Sequence, residues 1–114
     1  MCQKGVEMSL DVYLMVTKPT SVYSANITHN LNKMADKAGL YEALWRPEEL
    51  PITKAKDLIP ILSEGLEKLK QKPGYFKKFN AKNGWGTYDG LVNFVEEYLQ
   101  ACRENPRARI EVSR

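Results

Sequence analysis

One histidine and two cysteines in 114 residues leave this chain poor in the soft ligands on which most metal chemistry depends. A multi-histidine zinc site needs several imidazoles, and His29 stands alone. Cys2 and Cys102 lie near opposite termini without CxxC or metal-ligand spacing, so a cytosolic protein with reduced thiols is the expected state. The motifs GxSxG, GxxxxGK[ST] and GxGxxG are missing, and Gly84-Trp85-Gly86 is too short and wrongly placed to replace the last. No apolar run approaches the roughly 20 residues of a membrane span, and no signal-peptide pattern opens the chain. A membrane partner is therefore not expected. The net charge of +3 is too weak and dispersed for duplex nucleic acid, but it suits a small anion. Carboxylates are plentiful, yet Glu48-Glu49, Glu64 with Glu67, and Glu96-Glu97 fall where solvated helix faces would put them. No catalytic residue, metal or cofactor is assigned, and a non-catalytic protein is expected.

What is present is the patterning of one α+β domain over residues 8–114, preceded by an extension at residues 1–7 that lacks periodicity and is expected to be mobile. Residues 10–16 are rich in β-branched, aromatic and aliphatic side chains and close at Lys18-Pro19, which describes a strand. Its expected partner is residues 108–112, where Ile110 and Val112 alternate with charge in the manner of a strand with one wet face. The two ends of the chain thus make a small antiparallel element, and about four helices must cover it. The terminal strand reads as an open edge that a second subunit could complete, so a homo-oligomer, a dimer or larger, is expected.

The intervening periodicity is helical. Ile27, Leu31, Met34, Ala35 and Ala38 share one stripe, with Asn26 or Thr28 as cap and Gly39 as stop. Ala55, Leu58, Ile59, Leu62, Leu66 and Leu69 form a second stripe, in which Pro60 predicts a kink or restart near Leu58. Tyr75, Phe76 and Phe79 follow Lys72-Pro73-Gly74 as a short helix. The last helix starts at Thr87 or Tyr88 and places Tyr88, Leu91, Phe94, Val95, Tyr98, Leu99 and Cys102 on one face.

Three polar-aromatic clusters are candidates for ligand contact. Asn26, Thr28, His29 and Asn30 gather at a helix start, where free backbone N–H groups favour an anion; the plain alternative is a cap with a solvated histidine. Trp45-Arg46-Pro47 pairs a stacking ring with a planar cation, or else is a core tryptophan beside a helix end. Asn83-Gly84-Trp85-Gly86-Thr87-Tyr88 puts a tryptophan between glycines ahead of another helix, or simply packs it over a turn. Together Asn26, Thr28, His29, Asn30, Trp45, Arg46, Asn83, Trp85, Thr87 and Tyr88 form the expected composite site. Lys68, Lys70, Lys72, Lys77, Lys78 and Lys82 raise the positive potential nearby.

The segments Ala25-Asn26-Ile27-Thr28-His29-Asn30-Leu31, Tyr41-Glu42-Ala43-Leu44-Trp45-Arg46-Pro47-Glu48-Glu49, Asn83-Gly84-Trp85-Gly86-Thr87-Tyr88 and the terminal Val112-Ser113-Arg114 carry a resemblance. From about Met8 to its end, the chain resembles a family of small uncharacterised phage and prophage proteins. The resemblance implies an accessory protein acting in a bacterial host cytoplasm. The expected function is non-catalytic binding of a small phosphate-bearing, nucleotide-like ligand, such as a nucleotide immune signal sequestered by a phage. Two alternatives are an inhibitor that docks on a host protein through exposed Trp45 and Trp85, and a nucleotide hydrolase using His29.

Overall fold

The alternation around Leu10, Val12 and Leu14 becomes strand β1, Ser9–Met15, in the computed structural model, which describes residues 9–16, 21–80 and 86–113. The extension at residues 1–7 lies outside the described residues. β1 is the central strand of a three-stranded antiparallel sheet, flanked by β2, Ser21–Thr28, and β3, Arg109–Ser113. The pairing of the two chain ends is as expected, with Val12 opposite Val112 and Leu14 opposite Ile110. The resulting architecture is α+β.

β2 corrects the expectation of a helix starting near Asn26. Tyr23, Ala25 and Ile27 alternate with Ser24 and Asn26, and they pair with Leu14, Val12 and Leu10 on the face the helices cover. Ile27 lies four residues before Leu31, so it mimics a helical stripe while obeying the period of two. Thr28 then caps a 3₁₀ turn at His29–Leu31, and the short helix α1, Asn32–Lys37, follows. Gly39 ends that region with φ +77°.

Helices α2, Tyr41–Trp45, α3, Ala55–Gln71, α4, Pro73–Lys77, and α5, Tyr88–Glu104, complete the chain, one helix more than expected. Every apolar position assigned to the final helix is buried, from Tyr88 to Cys102. α3 is continuous through Pro60, which is exposed in its second turn, so no restart occurs at Leu58. α3 and α5 pack together beneath the sheet, where Leu58, Leu62, Leu91 and Val95 are fully buried. Full burial of each such side chain stabilises the fold by about 1.5–3 kcal/mol. A Cβ at Gly65 would lie 2.3 Å from Leu40 Cδ2, so this glycine lets Leu40 touch the helix backbone.

The start of α3 is stitched to the end of the chain. Ala55 and Lys56 donate backbone N–H groups to the carbonyls of Ala108 and Pro106, at 2.8 and 3.0 Å, and Ile110 donates to Thr53 at 3.1 Å. Asp57 accepts from the N–H groups of Thr53 and Lys54 at 3.1 and 3.2 Å. These contacts occupy part of the outer side of β3, which the alternation had marked as the open edge. Among the described residues, the open edge of the sheet is β2.

Candidate functional site

The turn at residues 28–31 is the point where three of the sequence-marked segments meet. Thr28 Oγ1 accepts the N–H of Asn30 at 3.2 Å, which closes the turn. Trp45 Nε1 donates to His29 Nδ1 at 2.7 Å, bringing α2 against it. Gly86 packs on the same turn from the side of the glycine loop. A Cβ there would sit 3.2 Å from Leu31 Cγ and 3.3 Å from Asn30 Cβ and Thr28 Cγ2. Its φ of +141° independently favours glycine. Asn83 and Trp85 lie outside the described residues.

Convergence does not make these side chains a ligand wall. Trp45 is 2 % exposed, stacks on Tyr41 with ring centroids 5.7 Å apart, and donates its indole N–H internally. A large ring whose one donor is satisfied gains most by burial. The expectation that Trp45 stacks a base or stands out as a docking anchor is therefore corrected: the ring is core. His29 uses Nδ1 as an acceptor, which assigns the ring proton of the neutral imidazole to Nε2 and leaves no second acceptor for a general base. Arg46 holds to Tyr41, its Nε donating to the phenol oxygen at 3.3 Å, and approaches Glu49 at 3.6 Å.

The remaining marked residues divide similarly. Asn26 lies on the other face of the sheet from Ile27, donating to Ser9 Oγ at 2.8 Å and Asp11 Oδ1 at 2.7 Å, and so does not join the turn. Thr87 caps α5 by accepting the N–H of Gly90 at 3.1 Å. Tyr88, expected at the ligand, is buried, and its hydroxyl donates to the carbonyl of Leu69 at 2.7 Å. Its N–H is held by Asn80 Oδ1 at 2.8 Å, which ties together the two flanks of the glycine loop. Asn30 is exposed at the rim of the cluster.

Among the described residues, an arrangement open to a ligand lies elsewhere. Lys37 at the end of α1, Lys68 and Gln71 on α3, Lys72 beyond it, and Tyr75 and Phe76 on α4 line a cleft of about 550 Å³. That volume is in the range of small-molecule sites. Lys68 reaches across to α1, so that a Cβ at Gly39 would be 3.5 Å from its Nζ. Among the described residues no carboxylate lines the cleft, and none of its three lysines has an ion-pair partner. Three like charges facing one cleft raise its potential and favour an anion. Tyr75 is 43 % exposed and is steadied by edge-on contacts with Phe76 and Phe79, at centroid distances of 5.1 and 5.5 Å. One aromatic surface beside three cations is the pairing that a base and its phosphates require.

Three other clefts among the described residues are less suited. One of about 520 Å³ holds Lys54, Arg107 and Arg109 without an aromatic ring, and Arg109 pairs with Glu111 at 3.3 Å. Those of about 800 and 410 Å³ include Glu48 with Glu111, and Glu67, respectively. None of the four clefts is lined by Asn26, Thr28, His29, Asn30, Trp45 or Arg46.

The basic stretch pointed at this region incompletely. Lys68 and Lys72 reach the cleft, but Lys70 pairs with Glu96 at 2.7 Å and Lys77 sits 5.5 Å from the centroid of the Tyr88 ring. Tyr75 carried a weak signal as an aromatic between lysines after a proline-glycine break. Lys37 carried none, because only folding brings α1 beside α3. Among the described residues no group of three or more His, Cys, Asp or Glu could hold a metal, and no helix is long and apolar enough to cross a membrane. Comparison with models of protein families, with curated proteins and with solved structures finds no match for this chain.

Proposed function

We propose that the protein binds, without turning over, a small phosphate-bearing ligand of nucleotide type in the cleft of Lys37, Lys68, Lys72 and Tyr75. The observation that carries this reading is a cleft that, among the described residues, has three lysines, one exposed aromatic ring and no carboxylate. The phosphates meet the ammonium groups, and the base lies on Tyr75 at the rim. A small residual positive charge on the whole chain assists encounter, and the attraction weakens with salt because exposed charges are screened over about 8 Å at physiological ionic strength. In a phage accessory protein, this chemistry serves to sequester a nucleotide signal made by a host defence system.

Calorimetric titration of the intact chain with a panel of mono-, di- and cyclic nucleotides tests the reading. Binding at micromolar Kd or tighter, about −8 kcal/mol or better, is expected for at least one member. The ligand should be recovered chemically intact after heat denaturation. Flat titrations across the panel with folded protein would exclude this function.

A further inference from the structure

β2 is an unusual strand to leave at an edge. Its residues Ser21-Val22-Tyr23-Ser24-Ala25-Asn26-Ile27-Thr28 include no charge, no proline and no glycine. Exposed edges are ordinarily protected by charges, prolines or a covering segment, because their unpaired N–H and C=O groups recruit other strands. The other edge, β3, has such protection: Arg109 and Glu111 lie along it, and Thr53 pairs with Ile110.

The hydrogen-bond parity of the sheet says which β2 groups are open. Ile110 directs its backbone outward, to Thr53, so Arg109, Glu111 and Ser113 face β1 and pair with Met15, Tyr13 and Asp11. The backbone groups of Leu10, Val12 and Leu14 must then face β2, where they meet Ile27, Ala25 and Tyr23. The N–H and C=O groups of Ser24 and Asn26 consequently point away from the sheet. Among the described residues, no other strand of the sheet lies on that side and no turn or loop bond uses these groups.

We infer that β2 pairs antiparallel with β2 of a second copy of this chain, about a two-fold axis at Ala25, to form a continuous six-stranded sheet. In this register Ser24 exchanges both backbone bonds with Asn26 of the second copy, and Asn26 does so with Ser24. Ala25 meets its own copy at the axis, where the pair without backbone bonds brings Cα atoms to about 4.5 Å and small side chains fit best. Tyr23 faces Ile27 of the second copy on the helix side, an aromatic and β-branched pair of the kind that stabilises cross-strand contacts. Ser24 and Asn26 side chains pair on the open face, and no like charges oppose one another along the strand. The dimer closes two edges at once, and its argument is independent of the ligand proposed above.

Light scattering coupled to size exclusion should give twice the 13.0 kDa chain mass. Ser24→Pro removes an outward N–H without breaking a bond to β1, and should weaken the dimer about tenfold or more while the circular dichroism spectrum is retained. Cross-linking supplies a second measurement that does not depend on that variant folding. In a Cys2→Ser background, Ala25→Cys should oxidise to a covalent dimer and Ser24→Cys should not, since only residue 25 meets its own copy within disulfide reach. A monomer at all concentrations overturns the inference. So does a dimer that keeps its affinity in folded Ser24→Pro, or one that cross-links through Ser24→Cys instead of Ala25→Cys.

Discussion

The turn at residues 28–31 and the cleft at Lys68 contain equally promising residue types and use them in opposite ways. At the turn, His29, Trp45, Thr87 and Tyr88 aim their polar atoms at neighbours within the chain. At the cleft, Lys37, Lys68 and Lys72 face a concave surface without an internal counter-charge among the described residues. The first arrangement stabilises the fold, because buried polar groups cost free energy unless they are paired. The second costs the fold little and leaves positive potential available. What distinguishes a structural cluster from a candidate binding surface here is where the hydrogen bonds and charges terminate.

Substitutions at the turn should therefore injure stability, and substitutions at the cleft should injure binding. Trp45→Ala has the largest expected effect, a loss of about 3–5 kcal/mol in urea unfolding, because it empties a core site and leaves His29 without its donor. A loss below about 1 kcal/mol would contradict a core role. Gly86→Ala should cost about 1–3 kcal/mol through its φ of +141° and the close approach of Thr28, Asn30 and Leu31. Nucleotide affinity should not follow it. Lys68→Glu should reverse the contrast, lowering nucleotide affinity about tenfold or more while moving stability by no more than about 0.5 kcal/mol. Equal affinity in Lys68→Glu and the parent chain would remove the cleft from the function.

Two smaller effects concern pH. The backbone N–H groups of Thr53 and Lys54 hold the Asp57 carboxyl below its ordinary 3.8. The unfolded chain then binds more protons in that acid window, so Asp57 contributes stability above about pH 4 that is lost as pH falls through the lowered value. Unfolding midpoints of Asp57→Asn should show a shallower acid decline. At the alkaline end, burial pushes the Cys102 thiol up to about 12 and raises the Tyr98 phenol. Both raised values make the neutral forms favour folding, and that contribution fades as pH rises above the unfolded thiol value near 9. Cys102 should accordingly resist alkylation in the folded chain and react in urea, as read by mass spectrometry.

Much of the fold was legible because its periodicities are strong. The stripe from Tyr88 to Cys102 is buried throughout, and Leu10, Val12 and Leu14 alternate inward as their types require. β2 was obscured because Ile27 satisfies both a period of two and the spacing to Leu31, and only its pairing with Leu10 decides between them. Pro60 does not break the helix its position predicts it to interrupt, since a proline in the second turn is accommodated within α3. The site was legible only in part. The clusters at residues 28–30, 45–46 and 86–88 do approach one another, yet their aromatic rings turn inward. Residue type records what a tryptophan or histidine can do, whereas its partner is chosen by packing.

The amino-acid sequence by itself determined the α+β class, the two apolar helices, the pairing of the chain ends and the poverty of metal-ligating residues. Those properties follow from local period and composition, which need no knowledge of distant contacts. The tertiary structure alone decided that Trp45 belongs to the core, that Lys37 stands beside Lys68, and that β2 lies at the open edge. Each of these depends on which segments meet after folding, and the free energy of a polar group is set by what it meets.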